Sequence, residues 1–273
     1  MKDPEAAIPV PQGRHEHQSY RIAHRGPVFH FFWPYTRYVI THIAVCISVF
    51  FFEVMNRTVV IGRDNVGEDP NTLLLPNHQS MIDGFLVGYA VFFPRSLVKP
   101  MLLPWLPAAA ENFFGNPVMR YLSDNFKCIP VKPGRKDFGV IHRMEACLRT
   151  GVMIVFPEGT RTRDGRLLPP RSGIGYVMLR TGAKAIPVCM DGMDGVLPVG
   201  QALPSIFRTV LIYYGKPVDL SEFAGVPPSE AAQPAIEKVF AEVRRLKRIL
   251  ERYRRYRRFL LEFRPFWTRF YSN

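Results

Sequence analysis

His78 and Asp83, five residues apart in NHQSMID (Asn77–Asp83), are a pair that can move a proton. A carboxylate against the imidazole Nδ1 fixes the tautomer and leaves Nε2 free as a general base. Two polar loop residues give the same spacing by chance in a chain with seven histidines, so position has to strengthen it. The apolar run Leu73, Leu74, Leu75, Pro76 reads as a buried strand, and a helix from about Ser80 puts Asp83 in its first turns with His78 just outside. No GxSxG elbow is present, and Ser80 reads as a helix cap rather than an attacking group. A base without a protein nucleophile needs the substrate's own hydroxyl, which narrows the chemistry to group transfer onto an alcohol.

A second constellation is VMIVFPEGTRTRDG, Val152 to Gly165. A buried strand ends at Phe156 and Pro157, and the loop after it presents Glu158, Gly159, Thr160 and Arg161. Arg161 can hold a phosphate bidentately, and Glu158 can accept from a hydroxyl or orient a cation. Arg163, Asp164 and Gly165 read as an ordinary turn.

NHQSMID and FPEGTR, in this order and about 75 residues apart, resemble the paired motifs of the glycerolipid acyltransferase family. The likeness continues through DGRLLPPRSGIGYVMLRTGAKAIPVCM and VLIYYGKPVDL, from Thr58 to Leu220. It implies that His78 takes the acceptor hydroxyl's proton, with Asp83 orienting it. Glu158, Gly159, Thr160 and Arg161 would bind the acceptor's glycerol phosphate, and Pro187 would be the proline of the fourth motif. The hydroxyl would attack the thioester of acyl-CoA or acyl-carrier protein directly, with no acyl-enzyme and no cofactor beyond that co-substrate. One motif departs: where the family carries an acid and an arginine, this chain reads FKCIPVKPGRKD. Lys132 or Arg135 can supply the missing cation, or both can be solvated loop residues. The departure leaves two acceptor readings. The first is 1-acyl-glycerol-3-phosphate, giving phosphatidic acid; the alternative is another lyso-lipid or a hydroxylated aminolipid.

These loops need a scaffold. TVVI, TLLL, FKCIPV, VMIVF, KAIPVCM and TVLIYYG are strand-like runs bounded by Gly, Pro, Asn or Asp, and GFLVGYAVFF, DFGVIHRMEACLRT and GIGYVMLRT between them read as helices. The expected fold is α/β: one layered catalytic domain, residues 57–225, with a mixed, largely buried sheet flanked by helices. The four cysteines are widely spaced, with no CxxC pair, and read as reduced thiols. His15 and His17 sit in a polar leader, residues 1–20, which lacks the apolar core of a signal peptide, and no metal site is expected.

Both flanks suit a lipid surface. Residues 21–56 are apolar and aromatic, with Tyr38 to Phe52 uncharged; Pro34 suggests a bend, hence a hairpin of two short helices embedded in one leaflet, with Arg25 and Arg37 near headgroups. A buried core helix and a tilted membrane span are the other readings. From Ala241 onward 11 Lys or Arg face three Glu, most of the net charge of +13. Val243, Leu246, Leu250, Tyr253, Tyr256, Leu260 and Phe263 form one stripe on this basic helix, placed in a segment of residues 226–273 that ends in FWTRFY. Such a helix fits an anionic membrane, and its first turns fit packing on the domain. Arg and Tyr also suit RNA, but the apolar flank favours the membrane, so no nucleic acid is expected. The expected location is membrane-associated with the site facing the cytoplasm, at the inner membrane in a bacterium. The competing class is a non-catalytic membrane- or RNA-binding protein, which leaves both motifs unexplained.

Overall fold

The run Thr72–Pro76 becomes β2, all five residues buried, at the interior of a five-stranded sheet. The computed structural model describes residues 25–132 and 138–262. The sheet is ordered β1 (Arg57–Ile61), β7 (Thr209–Tyr214), β6 (Lys184–Asp191), β2, β5 (Val152–Ile154). β6 and β7 are antiparallel and the other pairings parallel, so the sheet is mixed. β3 (Leu106–Ala109) and β4 (Cys128–Val131) form a parallel pair. Trp105, just before β3, joins that pair to the edge at β5: its N–H donates to Val152 O, and its carbonyl accepts from the Ile154 N–H, both at 2.9 Å.

Alternation along β2 divides the core. Leu74 packs with Leu86 and Val87 of α2 (Asp83–Phe92), while Leu73 and Leu75 face the other way. There they meet α5 (Phe138–Arg149), α6 (Ser172–Thr181) and α8 (Pro228–Glu262) through Met144, Val177, Ile236 and Val239. A sheet covered on both faces needs apolar side chains on both, which is why its strands read as continuous hydrophobic runs. Gly175 lets α6 approach α8 closely: a Cβ there would lie 1.9 Å from Ala232 O. Cys128, Cys147 and Cys189 are buried free thiols and Cys46 is exposed; burial pushes Cys128 and Cys147 up to about 12, so neither is a ready nucleophile.

The expected N-terminal hairpin is instead one helix. α1 (Pro27–Val49) runs through Pro34 and continues as a π-helical turn, Phe50–Met55. The proline removes a single backbone donor, and bonds to the domain on both sides of it hold the axis. Arg25 pairs with Asp124 at 2.8 Å, Trp33 Nε1 donates to Asp124 O at 3.0 Å, and Thr36 and Thr41 hydroxyls donate to Asn125. Arg25 is therefore tied into the domain rather than held at a headgroup, and Arg37 lies over the Trp33 ring. Asp124 and Asn125 end α4 (Pro117–Asn125), a helix the sequence patterning did not reveal.

α8 begins well before the basic stretch. Val243, Leu246 and Leu250 are fully buried with Cys189, Leu211 and Phe240, so the first turns of the stripe are core. Tyr253 and Tyr256 further along are exposed. Arg135, Phe263, the tail after it, the leader with His15 and His17, and the side chain of Leu260 lie outside what is described.

Replacing Gly175 with Ala forces α6 from α8 and should lower unfolding free energy by about 1–3 kcal/mol, the usual overpacking cost. Denaturant midpoints of the two proteins measure it, with an unchanged m-value.

Candidate active site

β2, β5 and β6 are mutually parallel, so their C-terminal ends, and the loops carrying both motifs, lie on one edge of the sheet. After β2 the chain does not enter a helix at Ser80; α2 starts at Asp83, with Ile82 as cap residue. Ser80 is thus not the cap. The reason is the Asp83 carboxylate, whose Oδ2 reaches back to accept from the Gln79 and Ser80 N–H groups at 2.7 and 2.8 Å. That same oxygen lies 2.9 Å from His78 Nδ1. Asp83 is fully buried, while the His78 side chain keeps 19% of its exposure. An oxygen that already accepts two amide protons offers the ring an acceptor, so Nδ1 carries the hydrogen and Nε2 is the free base position. Phe156 stacks on the imidazole at 3.9 Å, ring planes 17° apart.

Glu158 joins the two loops. Its Oε1 accepts from the His78 N–H at 3.0 Å and its Oε2 from the Leu168 N–H at 2.9 Å. The Thr162 N–H then donates to His78 O at 2.9 Å, so the histidine's backbone is bound on both sides by the FPEGTR loop. Glu158 is buried, with both oxygens engaged by main chain; the geometry makes it a positioning residue for His78. Burial pushes its carboxyl up to about 7, against the lowering by its two backbone donors and Lys247.

Gly159 takes φ +69°, a conformation that favours glycine, and with Thr160 it is exposed. Arg161 is half-buried and makes no ion pair among the described residues. Lys132 follows β4, parallel to β3, and is exposed. Pro187 is inside β6 opposite Leu75, with Gly215 N–H donating to its carbonyl; the β6 residue that reaches the NHQSMID loop is Met190, bonded twice to the Asn77 side chain. The structure therefore joins His78, Asp83 and Glu158 by direct bonds. It places Gly159, Thr160 and Arg161 on the loop beside them, and sets Pro187 back in the sheet.

Three supports had no local sequence signal. Arg171, the residue before α6, donates from Nε to Glu158 O at 3.3 Å and lies against Gly159. Gln79 accepts from the Met193 N–H at 3.1 Å. Lys247 of α8 donates to Gly165 O, tying the far end of the FPEGTR loop to the basic helix. A cavity of about 420 Å³ lined by Met178, Val218, Leu220 and Phe223 lies at the opposite end of α6 and has no part in this constellation.

The acyltransferase family's sequence model matches residues 57–191. The chloroplastic 1-acyl-sn-glycerol-3-phosphate acyltransferase LPAT1 of Arabidopsis thaliana is 26% identical over 215 residues, covering 76% of this chain and 56% of that protein. The 1-acyl-sn-glycerol-3-phosphate acyltransferase of Escherichia coli (strain K12) is 26% identical over 155 residues, 56% of this chain and 59% of that protein. The crystal structure of PlsC, the 1-acyl-sn-glycerophosphate (LPA) acyltransferase from Thermotoga maritima, superposes with a TM-score of 0.58 at 24% identity, over 78% of this chain and 81% of that one. The matches span about half the length of the curated relatives, at 56% and 59% of these two.

The Glu158 carboxyl is easier to protonate folded than unfolded. Its stabilising contribution is full below its ordinary value of 4.5 and is lost as pH rises through about 7. Glu158→Gln should flatten that part of the stability–pH curve, read as the difference in unfolding free energy between about pH 5 and about pH 8. An unchanged slope would assign the loss to another group.

Proposed function

We propose that this chain, which belongs to the acyltransferase family, moves a fatty acyl group from a thioester donor to the free hydroxyl of a lysophospholipid, with 1-acyl-glycerol-3-phosphate the first acceptor. The observation that carries the reading is the 2.9 Å contact between His78 Nδ1 and Asp83 Oδ2, with no serine or cysteine bonded to His78 among the described residues. Nε2 takes the proton of the acceptor hydroxyl as its oxygen attacks the thioester carbonyl. The C–S bond breaks, and the proton passes to the departing thiolate. General-base catalysis of this kind contributes about 10²–10⁴-fold.

Arg161 has a guanidinium that pairs with no carboxylate among the described residues, on the loop that holds His78, and this supports its role as phosphate clamp. Lys132 supplies a second cation at the end of β4, and Arg135 belongs to the same proposal. The relatives named above are 1-acyl-sn-glycerol-3-phosphate acyltransferases, which supports lysophosphatidate over other lyso-lipids or hydroxylated aminolipids. The donor is acyl-CoA or acyl-carrier protein, and either is met from the cytoplasmic side.

The acceptor is a lipid, so the enzyme works at a membrane. α1 with its π-turn is long and apolar enough to cross one, Pro27–Met55. Val28, Phe31, Tyr35, Val39, Ile43, Ile47, Phe50 and Val54 recur every three or four residues and are exposed by half or more, one stripe along the whole helix. The opposite face, from Trp33 to Phe52, is packed on the domain. A helix docked along that length would carry the domain into the bilayer if it crossed, so it lies in one leaflet with the stripe down. The exposed end of α8, with Arg252, Tyr253, Arg255 and Tyr256, adds attraction to anionic lipid.

His78→Ala should abolish acyl transfer from labelled donor to lysophosphatidate while far-UV dichroism and vesicle binding stay as in the parent protein; transfer that persists refutes the base assignment. In the same assay Arg161→Ala should raise the KM for phosphate-bearing acceptors far more than for the donor. A panel of lyso-lipids with each donor then identifies the acceptor.

A further inference from the structure

The turn between α7 (Met193–Val196) and β7 contains LPSIFR, Leu203–Arg208. Its apolar residues face water: Leu203 and Phe207 are 82% and 86% exposed, and Ile206 is partly so. Phe207 takes φ +59°, the left-handed region that bulky side chains avoid. Its neighbours hold it there, since the Phe207 N–H donates to Met55 O at 2.8 Å and the Arg208 N–H to Asn56 Oδ1 at 2.9 Å. Ser205 N–H is bound to Val196 O at 2.7 Å. An ordered loop therefore presents an aromatic ring outward at a conformational cost, which a surface without a partner has no reason to bear.

The bond to Met55 fixes where that residue is. Its backbone is held at the end of the α1 π-turn, against the residue that follows exposed Val54, so the loop adjoins the end of the α1 stripe. Arg57 and Arg208 flank the site, joined by the Arg57 N–H to Arg208 O bond at 2.8 Å. Both side chains are exposed, and neither forms an ion pair among the described residues. An exposed aromatic residue next in the chain to one exposed arginine, and bonded through it to a second, has the composition of an interfacial anchor, ring below the phosphates and cations among them.

We propose that the 201–208 loop is a second lipid-insertion element, with Phe207 entering the acyl layer of the leaflet that takes α1 and Arg57 and Arg208 engaging lipid phosphates. The inference rests on the membrane reading of α1 and adds to it a fixed tilt. The α1 stripe sets which side of the helix meets the leaflet; a further inserted contact beside one end of that helix narrows the remaining roll and sets the angle of the strand-end edge to the bilayer.

The test places an environment-sensitive nitrobenzoxadiazole label at Phe207→Cys, and separately at Phe31→Cys, in the full chain carrying Cys46→Ser, since the other cysteines are buried. The labelled proteins are reconstituted in vesicles of phosphatidylcholine with phosphatidylglycerol, with and without lipid bearing a nitroxide high on the acyl chain. The proposal expects blue-shifted, nitroxide-quenched emission at both positions. It also expects Arg57→Gln and Arg208→Gln each to weaken partitioning to these vesicles about fivefold, with little effect on pure phosphatidylcholine. Quenching at position 31 alone overturns the loop's role and leaves the membrane reading standing; quenching at neither overturns both. A blue shift at position 207 that is unquenched and grows with protein-to-lipid ratio assigns the loop to a second copy of the chain, and also refutes the proposal.

Discussion

The Glu158 carboxylate, buried between two loops and bound at each oxygen by a backbone N–H, is the constraint from which the rest of the site follows. Charged hydrogen bonds of this kind contribute about 1.5–3 kcal/mol each, yet removing the carboxylate from water costs enough to push it up to about 7. The opposition between those terms makes the junction sensitive to its surroundings. With the junction made, His78 is bound through N–H and carbonyl by the FPEGTR loop, and its ring meets Asp83 and Phe156. The proposed catalytic pair and the phosphate-suited arginine then lie on loops bonded to each other, although they are more than 70 residues apart in the chain.

That junction needs parallel strands of matching register. β2 lies between β5 and β6, so the loops leaving β2 and β5 emerge side by side and Met190 of β6 can bind Asn77 from the other flank. α8 crosses beneath with a buried stripe, and Lys247 reaches the end of the FPEGTR loop. The basic helix is consequently part of the frame of the site over its first half, and beyond Leu250 it exposes Arg252, Tyr253, Arg255 and Tyr256.

Much of this could be read before any coordinates. Apolar runs bounded by turn residues located six of the seven strands among the described residues, including all five of the main sheet, because a sheet buried on both faces requires them. β3, sequence LPAA, carries no β-branched or aromatic residue and was invisible for that reason. Pro34 misled in the other direction: it weakens a helix locally, and the bonds of Trp33, Thr36 and Thr41 to the end of α4 override it from outside. The His78 and Asp83 spacing was legible, but the clamp of Glu158 on the His78 backbone was not, since a carboxylate near a motif does not announce whether it faces substrate or main chain. Arg171 and Lys247 could not be found locally, because their partners are set by how α6 and α8 cross the sheet.

The stacking of Phe156 on His78 carries a further consequence. The imidazole is fixed along one edge by Asp83 and covered on one face by the phenyl ring, which leaves Nε2 as its second nitrogen. On the mechanism proposed above, a base presented in this way is handed. An acceptor held by its phosphate would approach from the side that the phenyl ring does not cover, so two mirror-image acceptors would bring the hydroxyl up differently. Ring packing would then contribute to stereochemical choice before any contact with the chiral carbon is made.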